Sequence, residues 1–489
     1  MFEQVRYTSC MSPTPNPVVP PTNHALPDDP IDSLERYLDA GGLEGLGRAR
    51  HLTSPEVIDI IGAAGIRGRG GAGFPAGRKW RSLAEAIGDT DRAFVVINAA
   101  EGEPGTFKDR ALLRRNPYLV LEGALIAAHC LDATRIVVAT KARYHQELDR
   151  VRTAISELTA VGVLGNIEIE VVEGPDHYLF GEESALLEVI EGEDPLPRQL
   201  PPYLYGLFTA QPNLGWSAGS DQSPGGPIEA SDNPALVNNV ETYAHAALVC
   251  RHGAEWYRSM GTSESPGPTV VTITGDVQRP VVAEIPLGQP LRTVIHELAG
   301  GPGPGRLIKG VLSGVSNPVI TPDLLDLPIT HEHFGGAGTG VGSAGFIVYD
   351  DTRNMVDVAY QVSRFLHVES CGQCNPCKTG TQGITQALES LVLGTATSAD
   401  IDLIERRILT VTDGSRCYLP TQEQRVVMSL LQQYPADLDV RLAGFSGDLD
   451  APLPKLIDVA DGVATTDPTA GFKRPDWTYG ETPVRLTAG

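Results

Sequence analysis

No run of about 18 uninterrupted apolar residues, the length a bilayer-spanning helix needs, occurs anywhere in the chain, although 41% of its 489 residues are apolar. The start, MFEQVRYTSCMSPTPNPVVPPTNH, lacks the apolar centre of a secretory signal and is rich in proline instead. Together these point to a cytoplasmic, non-membrane-spanning protein. Positive charge is also short: 38 Lys and Arg face 61 Asp and Glu, a formal charge of −23. Such a balance argues against nucleic acid or an anionic membrane surface as the main partner. Cysteine is scarce. Of seven, Cys10, Cys130 and Cys250 are scattered singly, which is no disulfide framework. The other four, Cys371, Cys374, Cys377 and Cys417, crowd into the last quarter and read as cofactor ligands.

What is present in excess is glycine (53) and proline (38), a sign of many loops between short elements. The length allows two to four domains. Residues 1–32 are proline-rich and unpatterned, and read as a disordered arm. From 33 to 262 helix and strand signals alternate. Ser54-Pro55-Glu56 opens a helix, 93–97 and 135–139 are apolar runs of strand length, and Asn116-Pro117 caps a helix between them. Further strand and helix signals at 167–172 and 182–190 complete a βαβα order, which implies a largely parallel sheet. Residues 263–350 are β-rich, with a hairpin at 269–285 and one helix at 291–298. From 351 to 436 apolar residues recur at helical spacing, as in Met355, Val358, Ala359 and Val362. Residues 437–489 read as a mostly looped extension.

Five segments carry chemistry. Cys371-Gly-Gln-Cys374-Asn-Pro-Cys377 with a remote Cys417 suits an iron–sulfur cubane, three close thiolates along one edge and a fourth closing the site. Structural zinc is the alternative, though it more often takes separated cysteine pairs. Gly68-Arg-Gly70-Gly71-Ala-Gly73-Phe74-Pro75 contains GxGxxG, but a helix precedes it where a dinucleotide fingerprint needs a strand. It reads either as an ordinary turn or as a loop whose amides approach a phosphate, with Arg67, Arg69, Arg78 and Lys79 supplying charge. Asn98-Ala-Ala-Glu101-Gly-Glu103 follows the carboxyl end of a strand, where open sheets place ligands, or is a solvated acidic loop. Tyr178-Leu-Phe-Gly181-Glu182-Glu183 begins a helix, where carboxylates are stabilising in any case. Asn238-Asn239-Val-Glu241-Thr242 offers paired amides or simply a cap.

In this order, RGRGGAGFP, NAAEGEPGTFKDR, GEESALLE, NNVET and ESCGQCNPCKTGT resemble the NADH-binding flavoprotein subunit of NADH:quinone oxidoreductase (complex I). The same family holds the diaphorase subunits of NAD-linked hydrogenases and formate dehydrogenases. The resemblance covers roughly residues 40–435. It implies an α/β Rossmann-like FMN domain, a small β-grasp domain, and a C-terminal helical bundle carrying one [4Fe–4S] cluster on the four cysteines. It also implies a thioredoxin-like [2Fe–2S] partner subunit among further redox subunits. By resemblance, Gly68, Gly70, Gly71, Lys79, Asn98, Glu101, Asn238, Asn239 and Thr242 hold FMN, with Tyr178, Gly181 and Glu182 beside it. Phe74, Lys79, Glu103, Glu183 and Tyr203 fall where NADH is received, Glu103 orienting the nicotinamide and Glu183 disfavouring a 2′-phosphate.

The function so implied is an NADH:acceptor oxidoreductase, hydride passing to FMN and single electrons onward. Four features depart from the family's pattern: Ala100 where Asp is usual, Ser82 where an aromatic is usual, the extra segment Thr209–Ser231, and YLPTQ after Cys417. Ala100 and Ser82 keep open a non-catalytic relay subunit, and Ser82 with the adjacent Arg78 a variant that uses NADPH.

Overall fold

The apolar runs at 93–97 and 135–139 become the inner strands of a parallel sheet in the computed structural model, which describes residues 22–87, 93–199, 206–208 and 233–468. Strands β1 (Phe94–Ala99), β2 (Arg135–Lys141), β3 (Glu168–Gly174) and β4 (Ala235–Asn239) lie in the order β3-β2-β1-β4, all parallel. The inner strands carry continuous apolar runs at 94–97 and 136–139 because both faces are covered there. Val95 and Ile97 join a core with Leu121 and Leu125 of the Pro117–Leu131 helix and Val240 and Ala244 of the Val240–His252 helix. Phe94, Val96, Val137 and Ala139 pack instead with Leu186 and Leu187 of the Glu183–Ile190 helix.

The chain moves outward from β1 to β2 to β3, then returns to set β4 on the other side of β1. Connections therefore diverge at the carboxyl ends of β1 and β4, the switch point where an open parallel sheet forms a crevice. The register places Asn98 beside Asn239 and Ile97 beside Asn238 in that crevice. β4 has no counterpart among the sequence expectations.

A second, smaller sheet has the order β6-β5-β8-β7. Its strands are β5 (Pro268–Gly275), β6 (Val281–Pro286), β7 (Ile308–Ser313) and β8 (Gly345–Asp350). β5 and β6 form the expected antiparallel hairpin, while β5 and β8 are parallel. The Leu291–Ala299 helix packs Leu291, Val294 and Ile295 onto Ile273, Phe346 and Val348. The helical region consists chiefly of Met355–Glu369, Asn375–Val392, Ser398–Thr410 and Leu419–Gln433. Its core, including Val358, Leu366, Ile384 and Val426, is continuous with Leu312, Ile347 and Tyr349 of the second sheet.

The described parts of the two terminal segments differ from expectation, residues 1–21 and 469–489 lying outside the described residues. Residues 22–32 belong to the fold and not to an arm: Ala25 and Leu26 are buried, and their N–H groups donate to the carboxylate of buried Glu284 at 2.9 and 3.2 Å. A carboxyl inside the second sheet needs donors, and this backbone supplies them. The expected looped extension contains the Pro435–Leu442 helix and a hairpin, β9 (Leu456–Ala460) and β10 (Val463–Thr466). Leu456 is buried in the core of the first sheet.

Candidate functional site

The crevice at the switch point opens into a cavity of about 710 Å³, within the range of small-molecule and cofactor sites. Fifteen expected residues line it: Gly68, Gly70, Gly71, Phe74, Lys79, Asn98, Glu101, Glu103, Tyr178, Gly181, Glu182, Glu183, Asn238, Asn239 and Thr242. Tyr203 lies outside the described residues. The glycine loop connects the Ser54–Ala64 and Ala76–Ala86 helices and lies over β4, the N–H of Arg69 donating to Thr242 Oγ1 at 3.0 Å. Gly71 has φ +114°, and a Cβ placed there meets nothing nearer than 4.0 Å. That side chain would project into the space a ligand needs, so this loop fits close approach to a phosphate.

Most charges around the cavity are already engaged. Arg69, expected to supply charge to a phosphate, turns away: buried, it donates to Tyr257 Oη at 3.2 Å and to the Pro268 carbonyl at 2.8 Å. Lys79 donates to Glu183 Oε1 at 2.7 Å and to the Val237 carbonyl at 2.6 Å. Glu101 accepts from the Asp109 N–H at 3.1 Å and from Arg110 Nε at 3.0 Å, which makes it a brace of its own loop. Glu182 caps the Glu183–Ile190 helix through the Ser184 and Ala185 N–H groups at 3.0 and 2.9 Å. Asn98 Nδ2 donates to the Gly181 carbonyl at 2.9 Å and so fixes the Tyr178–Gly181 turn.

Sequence reasoning missed Lys108 and Asp109 although both stand in the quoted NAAEGEPGTFKDR. Both line the cavity while otherwise buried. Lys108 Nζ reaches Asp109 Oδ1 at 2.7 Å, Asn239 Oδ1 at 2.9 Å and Glu241 Oε2 at 3.0 Å. Asn239 Nδ2 in turn donates to Asp109 Oδ2 at 2.6 Å. Burial drives the Asp109 carboxyl upward, against the pull of Lys108. Burial works against the lysine's charge, but the carboxylates of Asp109, Glu241 and Glu101 outweigh it and hold Lys108 above its usual range.

The second sheet and the helical region also reach the cavity, which the sequence did not show. Glu103 Oε1 accepts from the Val315 N–H at 3.1 Å and from the Ser316 hydroxyl, and Oε2 from Ser343 Oγ at 2.5 Å. Gln422 Nε2 donates to Ser316 Oγ at 2.8 Å and to Tyr178 Oη at 2.7 Å. One hydrogen-bonded chain thus joins the loop after β1, the loop after β7, the Leu419–Gln433 helix and the Tyr178–Gly181 turn. Glu103, expected only to orient a ligand, is also the link between the two sheets.

Cys371, Cys374, Cys377 and Cys417 line a second, smaller pocket with Ser370, Arg416 and Pro420. Three residues, Leu179, Cys417 and Leu419, line both it and the large cavity. The triple follows the Met355–Glu369 helix, and Asn375 begins the next. Burial pushes the Cys377 thiol up to about 12 and that of Cys417 well above its usual value. Such thiols become thiolates only against a compensating cationic centre. Ser370 Oγ lies 3.6 Å from Cys377 Sγ, and Gln373 Nε2 donates to Cys371 Sγ at 3.6 Å, contacts that tune a sulfur-held centre. No three His, Cys, Asp or Glu side chains among the described residues converge as around a single ion. Four thiols sharing one pocket, three of them spaced by two residues, suit the corners of an iron–sulfur cluster.

A flavin-sized cavity backed by a four-cysteine pocket is the arrangement of a flavin and iron–sulfur oxidoreductase. Residues 61–247 match the Nuo51 FMN-binding domain, and 357–441 match the NADH-ubiquinone oxidoreductase-F iron-sulfur binding region. An NADH-quinone oxidoreductase subunit of Rhizobium meliloti is 33% identical over 427 residues, covering 85% of this chain and 95% of that protein. The NADP-reducing hydrogenase subunit HndC of Solidesulfovibrio fructosivorans is 32% identical, covering 84% and 81%. Among solved structures, a chain of the NAD+-reducing [NiFe]-hydrogenase in the H2-reduced state superposes with a TM-score of 0.70 at 31% identity. That match covers 84% of this chain and 67% of the other. The chain belongs to the family of NADH-quinone oxidoreductase subunits that combine an FMN-binding region with an iron–sulfur-binding one.

Proposed function

We propose that this chain is the entry subunit of an NADH-oxidising electron-transfer complex, with FMN in the crevice cavity and a [4Fe–4S] cluster on Cys371, Cys374, Cys377 and Cys417. The observation that carries the reading is the shared wall: Leu179, Cys417 and Leu419 line both cavities. Bound there, the two groups supply the conversion of a two-electron hydride into single electrons. The layers correspond to a Rossmann-like domain (33–262), a β-grasp domain (263–350) and a helical cluster-binding domain (351–436).

The chain's own part is to bind, orient and exclude water. The amides of Gly70 and Gly71 would face the flavin phosphate, the Gly68 N–H closing the loop onto the Phe74 carbonyl at 2.8 Å, and Asn98, Asn238, Asn239 and Thr242 would set the floor. The Lys108–Asp109–Asn239 network holds that floor. Glu103 orients the nicotinamide with whatever accepting capacity its three donors leave. Phe74, exposed at the rim, offers a face to the nucleotide, with Lys79 and Glu183 lining the same cavity; Tyr203 is assigned to the nucleotide by family resemblance alone. Glu101 and Glu182 act through the loops they brace.

A thioredoxin-like [2Fe–2S] subunit is the expected neighbour, since the sequence has no second cysteine cluster. A cytoplasmic setting, free or attached to a membrane complex, accords with the absence of any long apolar helix among the described residues. The physiological assembly is either complex I or a soluble NAD-linked hydrogenase or formate dehydrogenase type. Anaerobically purified protein should contain FMN and roughly four iron atoms per chain and reduce an artificial dye with NADH. Zinc in place of iron, or no yellow chromophore, would overturn the reading.

A further inference from the structure

Four cationic side chains line the large cavity: Arg69, Lys79, Lys108 and Arg425. Three of them have carboxylate partners. Arg69 lies 3.7 Å from Glu241, Lys79 lies 2.7 Å from Glu183, and Lys108 contacts Asp109 and Glu241. Arg425 differs. Its Nη1 donates to Tyr418 Oη at 2.8 Å, and no carboxylate among the described residues comes within ion-pair distance.

Its position is as telling as its pairing. Tyr418 and Arg425 stand on the first turns of the Leu419–Gln433 helix and its cap. Tyr418 is 48% exposed and Phe74, on the glycine loop, 49% exposed, so these two aromatic residues stand at the open rim of the cavity. Gln422, one turn before Arg425, faces inward to Tyr178 and Ser316. The helix therefore carries a neutral, hydrogen-bonded side chain at depth and an unpaired guanidinium toward the opening. On the Phe74 side of the rim, Arg78 sits 5.9 Å from the ring.

A guanidinium left without a carboxylate beside a ligand-sized cavity is free to form a forked, charge-assisted pair with a phosphate. We propose that Arg425, steadied by Tyr418, is a specificity residue that binds a phosphate group of the nicotinamide nucleotide at the cavity rim. The proposal rests on the reading of the cavity as the flavin and nucleotide site. Two sources of that phosphate are chemically equivalent, the pyrophosphate shared by NADH and NADPH and the 2′-phosphate of NADPH alone. The Lys79–Glu183 pair makes the second tenable, since Glu183 no longer stands as an unpaired carboxylate.

The test compares anaerobic holoprotein with its Arg425→Gln and Arg425→Lys variants in dye reduction by NADH and by NADPH at low and moderate salt. Arg425→Gln should raise KM about tenfold, the scale of one lost charge-assisted contact, with kcat nearly unchanged and a flatter salt dependence. Arg425→Lys should recover part of the loss. A rise for both nucleotides assigns the pyrophosphate, and a rise for NADPH alone the 2′-phosphate. Unchanged KM for both, in a variant with full flavin content and normal kcat, overturns the proposal while leaving the function standing. Flavin lost from Arg425→Gln on desalting also overturns it, because the residue would then serve the flavin phosphate. Wild-type holoprotein whose flavin neither nucleotide bleaches would fail the functional reading itself, and this proposal with it.

Discussion

Gly71 and Glu103 show how differently single residues can serve one cavity. At Gly71 the positive φ and the open space beside the missing Cβ act together. Gly71→Val should leave the far-ultraviolet circular dichroism unchanged but lower flavin content severalfold, since the branched side chain strains the backbone and fills the cradle. Retained flavin would show that the phosphate lies elsewhere. Glu103 accepts three hydrogen bonds from the second sheet's loops. Glu103→Gln replaces one acceptor by a donor, so it should cost about 1–3 kcal/mol of stability and weaken NADH-driven dye reduction. Unchanged melting and unchanged kinetics would remove both roles.

At this scale the cysteines were legible because their ligand spacing is local in sequence. Glu101 and Arg69 were misread because their partners, Arg110 and Tyr257, follow from tertiary packing. Lys108 was quoted but unranked: nothing in a single sequence reveals that Glu241 meets it across the crevice.

Elements were readable wherever an apolar run or helical period was strong, as for β1, β2 and the Met355–Glu369 helix. β4 and β7 escaped notice. The first, Ala235–Asn239, is short and ends in two asparagines; the second, Ile308–Ser313, is interrupted by Lys309 and Gly310. Residues 22–32 escaped because proline-rich composition says nothing about a buried carboxylate waiting for donors.

That carboxylate gives the segment a pH signature. Burial raises Glu284 from 4.5 to about 7, so between those values the folded chain holds its proton more tightly than the unfolded chain. Its contribution to stability is present in acid, declines as pH rises through this window, and stays flat above it. Glu284→Gln keeps an acceptor for Ala25 and Leu26 and removes the charge. The melting temperature of the variant should match the wild type near pH 5 and exceed it by pH 7.5. Parallel profiles would contradict the assignment.

Across the whole molecule, the residues after the helical region act as a strap. Arg441 pairs with Asp357 at 2.7 Å, and Tyr349 Oη donates to the Pro452 carbonyl at 2.9 Å. The Gly105 N–H donates to the Pro454 carbonyl at 2.7 Å, and Arg110 Nη1 to the Leu456 carbonyl at 2.8 Å. Three layers are crossed in one pass, two of the contacts falling just after Glu103 in the chain. Truncation after residue 448 would leave the buried Arg110 Nη1 without its carbonyl partners, which is costly. It should lower both the melting temperature and flavin retention, read by thermal melts and by absorbance after gel filtration. A truncated protein with full flavin and unaltered melting would show the strap to be incidental. The order of layers was legible in the sequence from changes of period and composition. Their meeting around one cavity was not, because Ser316, Ser343 and Gln422 have no pattern that marks them.

Electrons pass between the two sites only if the wall shared by Leu179, Cys417 and Leu419 truly separates a flavin from a cluster. The direct measurement is anaerobic titration of the holoprotein with NADH, followed by flavin absorbance and by electron paramagnetic resonance. Flavin bleaching together with the signal of a reduced [4Fe–4S] cluster is expected, with Cys417→Ser impairing the second far more than the first. A flavin that NADH bleaches while a cluster shown intact by its reduction with a low-potential chemical reductant stays oxidised under NADH would contradict the account.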